Sequence, residues 1–338
     1  MPSDFPIDLI LNPLDGTPDE FRGGVVAIGN FDGVHQGHQQ VLKVAEQAAQ
    51  ERHVPLLAMT FDPHPRTLFQ PEKPVFRITG ARERAVLLSI CGAQRVLQIP
   101  FNRTFSNLSA TAFVEDILIK RLGVATVVIG YDFHFGRGRS GSPEFLKQKG
   151  AQAGFDVLVI EAHGDETGSV YSSSAIRASL TNGDIVTANE ALGYRWFVTA
   201  PVQHGQKLGR TLGFPTANQS LDPACGLKHG IYSVQMAVDG ALIDGVASFG
   251  RRPTFDDGAP LLETYLLDHS IDLYGKVVSV IFEAFQRGEE KFNSVEALVE
   301  QMNRDKAKAS QVLRAAPAPT GLSKAVTDRL VVESQSHG

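Results

Sequence analysis

The chain has 338 residues, 43% hydrophobic and 20% charged, and its 32 Lys and Arg against 37 Asp and Glu give a formal charge of −5. That length allows two domains, each with its own core, and needs neither disulfide nor metal to hold them. No basic excess favours a nucleic-acid backbone or an anionic membrane, while a local cationic pocket for a phosphorylated small molecule stays open.

Val25–Gly29, Leu56–Phe61, Arg95–Ile99, Thr126–Gly130 and Asp156–Ile160 are short, nearly continuous apolar runs. They read as strands covered on both faces. Helical patterns lie between them near His38–Gln50, Ala81–Ile90, Ala110–Leu122 and Pro143–Ala153. This alternation predicts an α/β doubly wound parallel sheet, Rossmann-like, with ligands at the carboxyl ends of the strands. After Leu192 the rhythm changes. Phe197–Val202, Ile231–Val238, Leu242–Ser248, Leu262–Leu267 and Val277–Phe285 are β-rich with no long helix between them. Asp239-Gly240 between two of these runs signals a hairpin. A helix over Val295–Lys308 follows, with Asn293 and Glu296 spaced as a capping box. The expectation is an antiparallel barrel or sandwich closed by a C-terminal helix. The boundary is expected near residues 183–195, and Ala315 to Gly321 reads as a flexible connector.

Cys91 and Cys225 lie far apart and form no C-x-x-C pattern, which fits a reducing compartment and gives no metal framework. No basic segment followed by an apolar run opens the sequence, and no stretch approaches the ~20 apolar residues of a membrane span. A cytoplasmic protein is expected, with no nucleic acid and no membrane as partner; a homo-oligomer is left open.

Gly29-Asn30-Phe31-Asp32-Gly33-Val34-His35-Gln36-Gly37-His38 joins the first strand to the first helix. Such a junction offers unpaired N–H groups and a positive dipole end to an anion. Gly33 and Gly37 let a phosphate approach the backbone. His35 and His38 share one face and can donate to the same phosphate, each well-placed donor being worth about 3 kcal/mol. Surface histidines at a helix start are the plain alternative, which the glycines and the strand–helix context disfavour. In Thr60-Phe61-Asp62-Pro63-His64-Pro65-Arg66, two prolines are expected to fix an extended turn. That turn would present Asp62, His64 and Arg66 to the same face.

Gly136 to Gly141 matches G-x-G-x-x-G, but five residues separate the preceding strand from the first glycine. A dinucleotide fingerprint turns at once. Asp132, Phe133 and Phe135 better suit a pocket for a flat ring, with Arg137 and Arg139 near phosphate. Ser172-Ser173-Ser174-Ala175-Ile176-Arg177 can cap a helix, and Arg177 would add a second anion site. No G-x-x-x-x-G-K-[ST] occurs, so a P-loop is excluded.

In the second half, Gly205, Gly209 and Gly213 punctuate a segment whose free amides can wrap phosphates. Thr216 and Asn218 face one side of an extended stretch and suit Mg²⁺ bound to nucleotide phosphates. Glu263 within a β-rich run is either an edge charge or a general base for a substrate hydroxyl.

His35-x-Gly37-His38 after one strand and Ser172-Ser173-Ser174-x-x-Arg177 after a later one resemble the nucleotidyltransferase superfamily. Class I aminoacyl-tRNA synthetases share a related histidine motif, but their Lys-Met-Ser-Lys-Ser partner is absent. The strings Gly29–His38, Thr60–Arg66 and Asp132–Gly141 resemble the amino-terminal half of bacterial bifunctional riboflavin kinase/FAD synthetases. Leu212–Asn218, Gly250–Phe255, Glu263–Asp268 and Asp272–Gly275, with Arg287 and Glu290-Lys291-Phe292, follow the order of the riboflavin kinase module. Departures from that pattern are Ser248, Tyr265, Ala175 and Gly288.

The resemblance implies an FMN adenylyltransferase domain over 1–185, a riboflavin kinase β-barrel over 186–312, and a flexible tail over 313–338. It implies riboflavin, FMN and ATP as substrates, Mg²⁺ with ATP, and FMN and FAD as products. ATP and phosphate are expected at Gly29, Asn30, Phe31, Gly37, Ser173, Ser174, Arg177, Gly205, Gly209 and Gly213. Flavin is expected at Asp62, His64, Asp132, Phe133 and Arg287, and the metal at Thr216 and Asn218. His35, His38 and Glu263 are the expected catalytic groups. A single-activity enzyme, or a flavin- or nucleotide-binding regulator, is the alternative.

Overall fold

The computed structural model describes residues 10–162, 164, 170–204, 212–251, 260–269 and 271–335. The chain divides between Ser173 and Ser174 into two compact units.

In the first unit, β1 (Ile10–Leu11), β2 (Val25–Ile28), β3 (Leu56–Asp62), β4 (Arg95–Pro100), β5 (Thr126–Gly130) and β6 (Asp156–Ile160) form one parallel sheet, ordered β1-β4-β3-β2-β5-β6. Its helices are α1 (Gln36–Arg52), α2 (Pro65–Phe69), α3 (Ala81–Ile90), α4 (Arg103–Ser106), α5 (Ala110–Ala112) and α6 (Pro143–Ala153), and α5 runs on as a π-helical stretch over Phe113–Arg121. Val26, Ile28, Met59, Leu97, Val127 and Ile129 on the sheet pack with Leu118 and Leu146 on helices of one face. Leu42, Ala45, Leu87 and Leu88 are buried from α1 and α3. The five strands read from sequence are all present; the two-residue β1 is too short to carry a periodic signal. After β2 the chain moves to β3 on one side, and it later returns to β5 on the other. The crevice beyond β2 and β5 is therefore a topological switch point, where open sheets of this kind bind ligands.

The second unit begins at Ser174, within α7 (Ser173–Asn182), and continues with α8 (Ile185–Leu192), β7 (Phe197–Pro201), β8 (Thr216–Ser220), β9 (Gly230–Val238), β10 (Ala241–Arg251), β11 (Pro260–Leu266) and β12 (Val277–Arg287). The strands are antiparallel in the order β7-β12-β9-β10-β11-β8. Gln203, just past β7, donates its N–H to the Asn218 carbonyl at 2.8 Å, which draws the two ends together into a nearly closed barrel. Asp239 and Gly240 both have positive φ, 49° and 77°, as a two-residue hairpin of primed type requires.

Three expectations change. Residues 174–192 belong with the barrel rather than with the parallel sheet. The Lys228 N–H donates to the Leu180 carbonyl at 3.1 Å, Asn189 Nδ2 donates to Phe282 O at 3.0 Å, and Asn189 Oδ1 accepts the Trp196 N–H at 2.7 Å. The terminal helix α9 (Val295–Ala315) is capped by Ser294, not Asn293: its hydroxyl accepts the Ala297 N–H at 3.1 Å. Residues 313–338, expected to be a flexible tail, instead complete α9 and add α10 (Gly321–Gln335). Val326 and Leu330 of α10 are buried, and α10 packs on β9, β10 and β12. Arg195 Nη2 holds the intervening Pro317 carbonyl at 2.6 Å.

Helix α9 is fixed by a fork-to-fork pair. Arg287 Nε and Nη2 donate to Asp305 Oδ1 and Oδ2 at 2.9 and 2.6 Å, and Gln301 also donates to Oδ1. Asp305 is 5% exposed. Removing one partner of such a pair strands the other charge, so Asp305→Ala should cost about 3 kcal/mol. Trp196, the single tryptophan and buried against Phe282, reports the barrel's urea unfolding by fluorescence. An unchanged midpoint would refute this role.

Candidate active sites

The turn from β2 into α1 is tightly determined. Phe31 and Val34 adopt positive φ, 48° and 39°, and both are buried. Asp32, 1% exposed, turns its Oδ1 to the N–H groups of Ile78 and Thr79 at 2.9 and 3.2 Å. The Gly33 N–H donates to Thr79 Oγ1, and Thr60 Oγ1 donates to the exposed Asn30's carbonyl. This turn delivers His35 as the residue preceding α1, with no side-chain cap on the helix, and His38 on its first turn.

The two imidazoles stack, with ring centroids 3.7 Å apart and an interplanar angle of 25°. The buried Phe31 ring meets His38 edge-on at 5.3 Å, so Phe31 props the histidine rather than lining open space. Gly29 and Gly37 are needed for packing: a Cβ would lie 3.3 Å from the Phe31 ring at Gly29, and 3.2 Å from the His35 ring at Gly37. Burial, and then the neighbouring His35, hold the His38 pKa well below its ordinary 6.5. His38 is therefore neutral at pH 7 and keeps an N–H to donate. Its Nδ1 is buried with no hydrogen-bond partner among the described residues.

Around this pair, Ser173 Oγ donates to the Asp32 carbonyl at 2.9 Å. Ser174 and Arg177 follow on α7, past the division between the units. Asp62 ends β3, half-buried, and its Oδ1 accepts from Arg77 Nη1 at 3.1 Å. The Asp62–Pro63 bond is cis. His64 is buried and caps α2, its Nδ1 accepting the Arg66 N–H at 3.2 Å; the expected extended turn is thus a short helix that occupies one of His64's two nitrogens. Asp132 is exposed and Phe133 half-buried beyond β5, with Phe133 stacked on Phe135 at 5.5 Å. The G-x-G-x-x-G match is structural. A Cβ at Gly136 would lie 2.6 Å from the Ala110 nitrogen, and one at Gly141 would lie 2.6 Å from the Phe135 ring.

Sequence reasoning gave no role to Arg77, Thr79, Arg84 or Phe69. Phe69, 59% exposed at the end of α2, stands edge-on to Phe101 at 6.2 Å. Its signal was an aromatic just after the Pro-His-Pro turn.

The barrel holds a second constellation. Strand register sets Asn218 opposite Glu263 and Thr216 opposite Tyr265, so all four share one face. Ser248 of β10 lies opposite Glu263 from the other side. Asn218 is 6% exposed; its Nδ2 donates to the Thr216 carbonyl, and its Oδ1 is buried without a hydrogen-bond partner among the described residues. An orphaned neutral oxygen beside a threonine hydroxyl fits a hard cation such as Mg²⁺. Thr216, Asn218, His269, Leu273 and Tyr274 line a cleft, with His204 stacked on Tyr274 at 3.9 Å. Gly213 turns at φ +84° with open space beside it. Gly205 and Gly209 lie outside the described residues. Arg287, expected at the flavin, spends Nε and Nη2 on Asp305 and Nη1 on the Gly288 carbonyl.

Residues 17–175 match the family model for FAD synthetase, and residues 192–313 match that for riboflavin kinase. The bifunctional riboflavin kinase/FMN adenylyltransferase of Escherichia coli K12 is 37% identical over 89% of this chain and 96% of its own length. The Pseudomonas fluorescens protein of the same description is 41% identical over 89% of this chain and 95% of its own. A solved structure described as a macrolide-efflux protein from Streptococcus pneumoniae superposes with a TM-score of 0.80 at 30% identity, covering 91% of this chain and all of that one. Efflux is said of that protein; no described helix here is long and apolar enough to cross a membrane. With both halves matched in order along nearly its whole length, the chain belongs to the bifunctional riboflavin kinase/FMN adenylyltransferase family.

Proposed function

We propose that this chain phosphorylates riboflavin to FMN and then adenylylates FMN to FAD, using one ATP in each unit. The observation that carries the reading is that each matched region falls on a unit with its own constellation: the stacked histidines in one, and the Asn218–Glu263 face in the other.

In the barrel, Glu263 accepts the proton of the ribityl 5′-hydroxyl as that oxygen attacks the γ-phosphate of ATP, giving FMN and ADP. Thr216 and Asn218 would hold the Mg²⁺ that arrives with ATP, and the metal would supply charge neutralisation on the transferring phosphoryl group. Gly205, Gly209 and Gly213 are the candidates to receive the phosphates. In the parallel-sheet unit, a phosphate oxygen of FMN attacks the α-phosphate of a second ATP, and pyrophosphate leaves. His35, the neutral His38 and the first amides of α1 stabilise the charge on the reacting phosphates. Ser173, whose Oγ donates to the Asp32 carbonyl, serves the same phosphates, while Asp62, Asp132, Phe133 and Phe69 receive the flavin. No protein nucleophile is required. The free cysteines and the ATP requirement suit the cytoplasm.

Chromatography of flavins after incubation with riboflavin, ATP and Mg²⁺ tests this reading. FMN followed by FAD is expected, and no product from either riboflavin or FMN would leave the binding-protein alternative. His38→Ala should lower FAD formation from FMN about a hundredfold or more and leave FMN formation intact. Glu263→Ala should abolish FMN formation yet still convert supplied FMN. A folded single variant that lost both activities would refute two separate sites.

Asn218→Ala should raise the Mg²⁺ concentration that half-saturates the kinase and leave adenylyl transfer at its wild-type requirement. Equal Mg²⁺ titrations of the kinase would exclude this oxygen as a ligand.

The low His38 pKa also links stability to pH. Above 6.5 the imidazole is neutral whether folded or unfolded. Below 6.5 the unfolded chain takes the proton first, so this group's contribution is lost as pH falls toward the lowered folded value. Denaturant unfolding followed by circular dichroism between neutrality and about pH 5 should show the wild type losing more stability than His38→Gln. Parallel pH profiles would contradict it.

A further inference from the structure

Arg84 begins a run of five buried residues, Arg84 to Leu88, on α3, and its side chain is 2% exposed. Burial lowers its pKa, and the carboxylates of Asp32 and Asp62 pull the other way. Its Nη2 lies 4.0 Å from Asp62 Oδ1, the same oxygen that accepts from Arg77 Nη1 at 3.1 Å. Its Nε and Nη2 are buried with no hydrogen-bond partner among the described residues. Both guanidinium groups thus converge on Oδ1 of Asp62, and Oδ2 accepts no hydrogen bond among the described residues.

A buried guanidinium with unmet N–H groups is a poor stabiliser of a fold, and an apolar side chain of similar volume is often as good or better there. Local rules broken in this way concentrate where a site needs them. We infer that Arg84 is a positioning residue for the flavin nucleotide: with Arg77 it anchors Oδ1 of Asp62 and leaves Oδ2 to accept an N–H or O–H of FMN. The inference rests on the proposed adenylyl transfer in this unit. Arg84 acts through Asp62, so its loss falls on flavin affinity.

The test is Arg84→Met in the full chain, with FMN adenylylation, riboflavin phosphorylation and thermal melting measured together. The KM for FMN should rise about tenfold, the size of one charge-assisted hydrogen bond, with kcat and the KM for ATP near wild type. Kinase rate and Tm should hold, because Asp62 keeps Arg77 and Asp32 keeps its two backbone N–H groups. In an Asp62→Asn background the same change should add nothing. A packing role alone gives the reverse pattern, a lower Tm with an unchanged KM for FMN, and would overturn the inference, as would additive effects in the double variant. If Arg84→Met fails to fold, Arg84→Gln, which keeps an N–H and loses the charge, answers the same way: a raised KM for FMN supports the role and an unchanged one refutes it. A wild-type chain that made no FAD from FMN would instead overturn the adenylyl-transfer reading, and this inference with it.

Discussion

The carboxylate of Asp32 holds in place the turn on which the first site depends. Phe31 and Val34 are bulky residues in left-handed backbone, a conformation costing on the order of 1 kcal/mol each. It persists because Phe31 and Val34 fill the core, while Asp32 Oδ1 ties the turn to Ile78 and Thr79 across the sheet end. The result is a rigid entry into α1 that stacks two imidazoles above its first turn. Burial first, and the neighbouring His35 second, keep His38 neutral, so the site offers a hydrogen-bond donor without a standing double charge.

The barrel solves a different problem. It must keep a carboxylate and an amide oxygen on one sheet face, with the amide oxygen left without a hydrogen-bond partner among the described residues. Strand register does this by alternation: Thr216, Asn218, Glu263 and Tyr265 fall on one side, while Gln219, Leu262, Thr264 and Leu266 fill the other. Helix α9 covers part of the first side through Ala309 and Leu313 against Tyr265 and Leu267, and Lys306 bridges to Asp268 at 2.8 Å. Arg287 belongs to this clamp, which is why a residue read from sequence as a flavin contact is committed to Asp305.

Much of this was legible in the sequence because its signals are local. Continuous Val, Ile and Leu runs marked the parallel strands, Asp239-Gly240 marked its hairpin, and His35-x-Gly37-His38 marked the start of α1. What was missed depends on distant partners. Arg84 shares a helix face with Leu87 and Leu88, and a lone charge on an apolar face was the available signal; its carboxylates, Asp32 and Asp62, lie on other elements. β8 reads as a polar stretch because one of its faces carries Thr216 and Asn218. The glycines of Gly136–Gly141 imitate a phosphate loop, yet Gly136 and Gly141 are small because Ala110 and the Phe135 ring press on them, and Gly138 turns at φ +65°. The tail looked mobile from Pro317 and Pro319, but those prolines only separate two helices.

Helix α10 has a consequence for how the chain is handled by other proteins. A hairpin tip is ordinarily where a protease finds extended, weakly held backbone. Here Ser334 Oγ accepts the Gly240 N–H at 2.9 Å, and a Cβ at Gly240 would lie 2.5 Å from the Gln335 side chain. The β9–β10 tip is thereby sheathed by a segment almost a hundred residues later in sequence, and a cut that released α10 would uncover a second cleavage site at the tip.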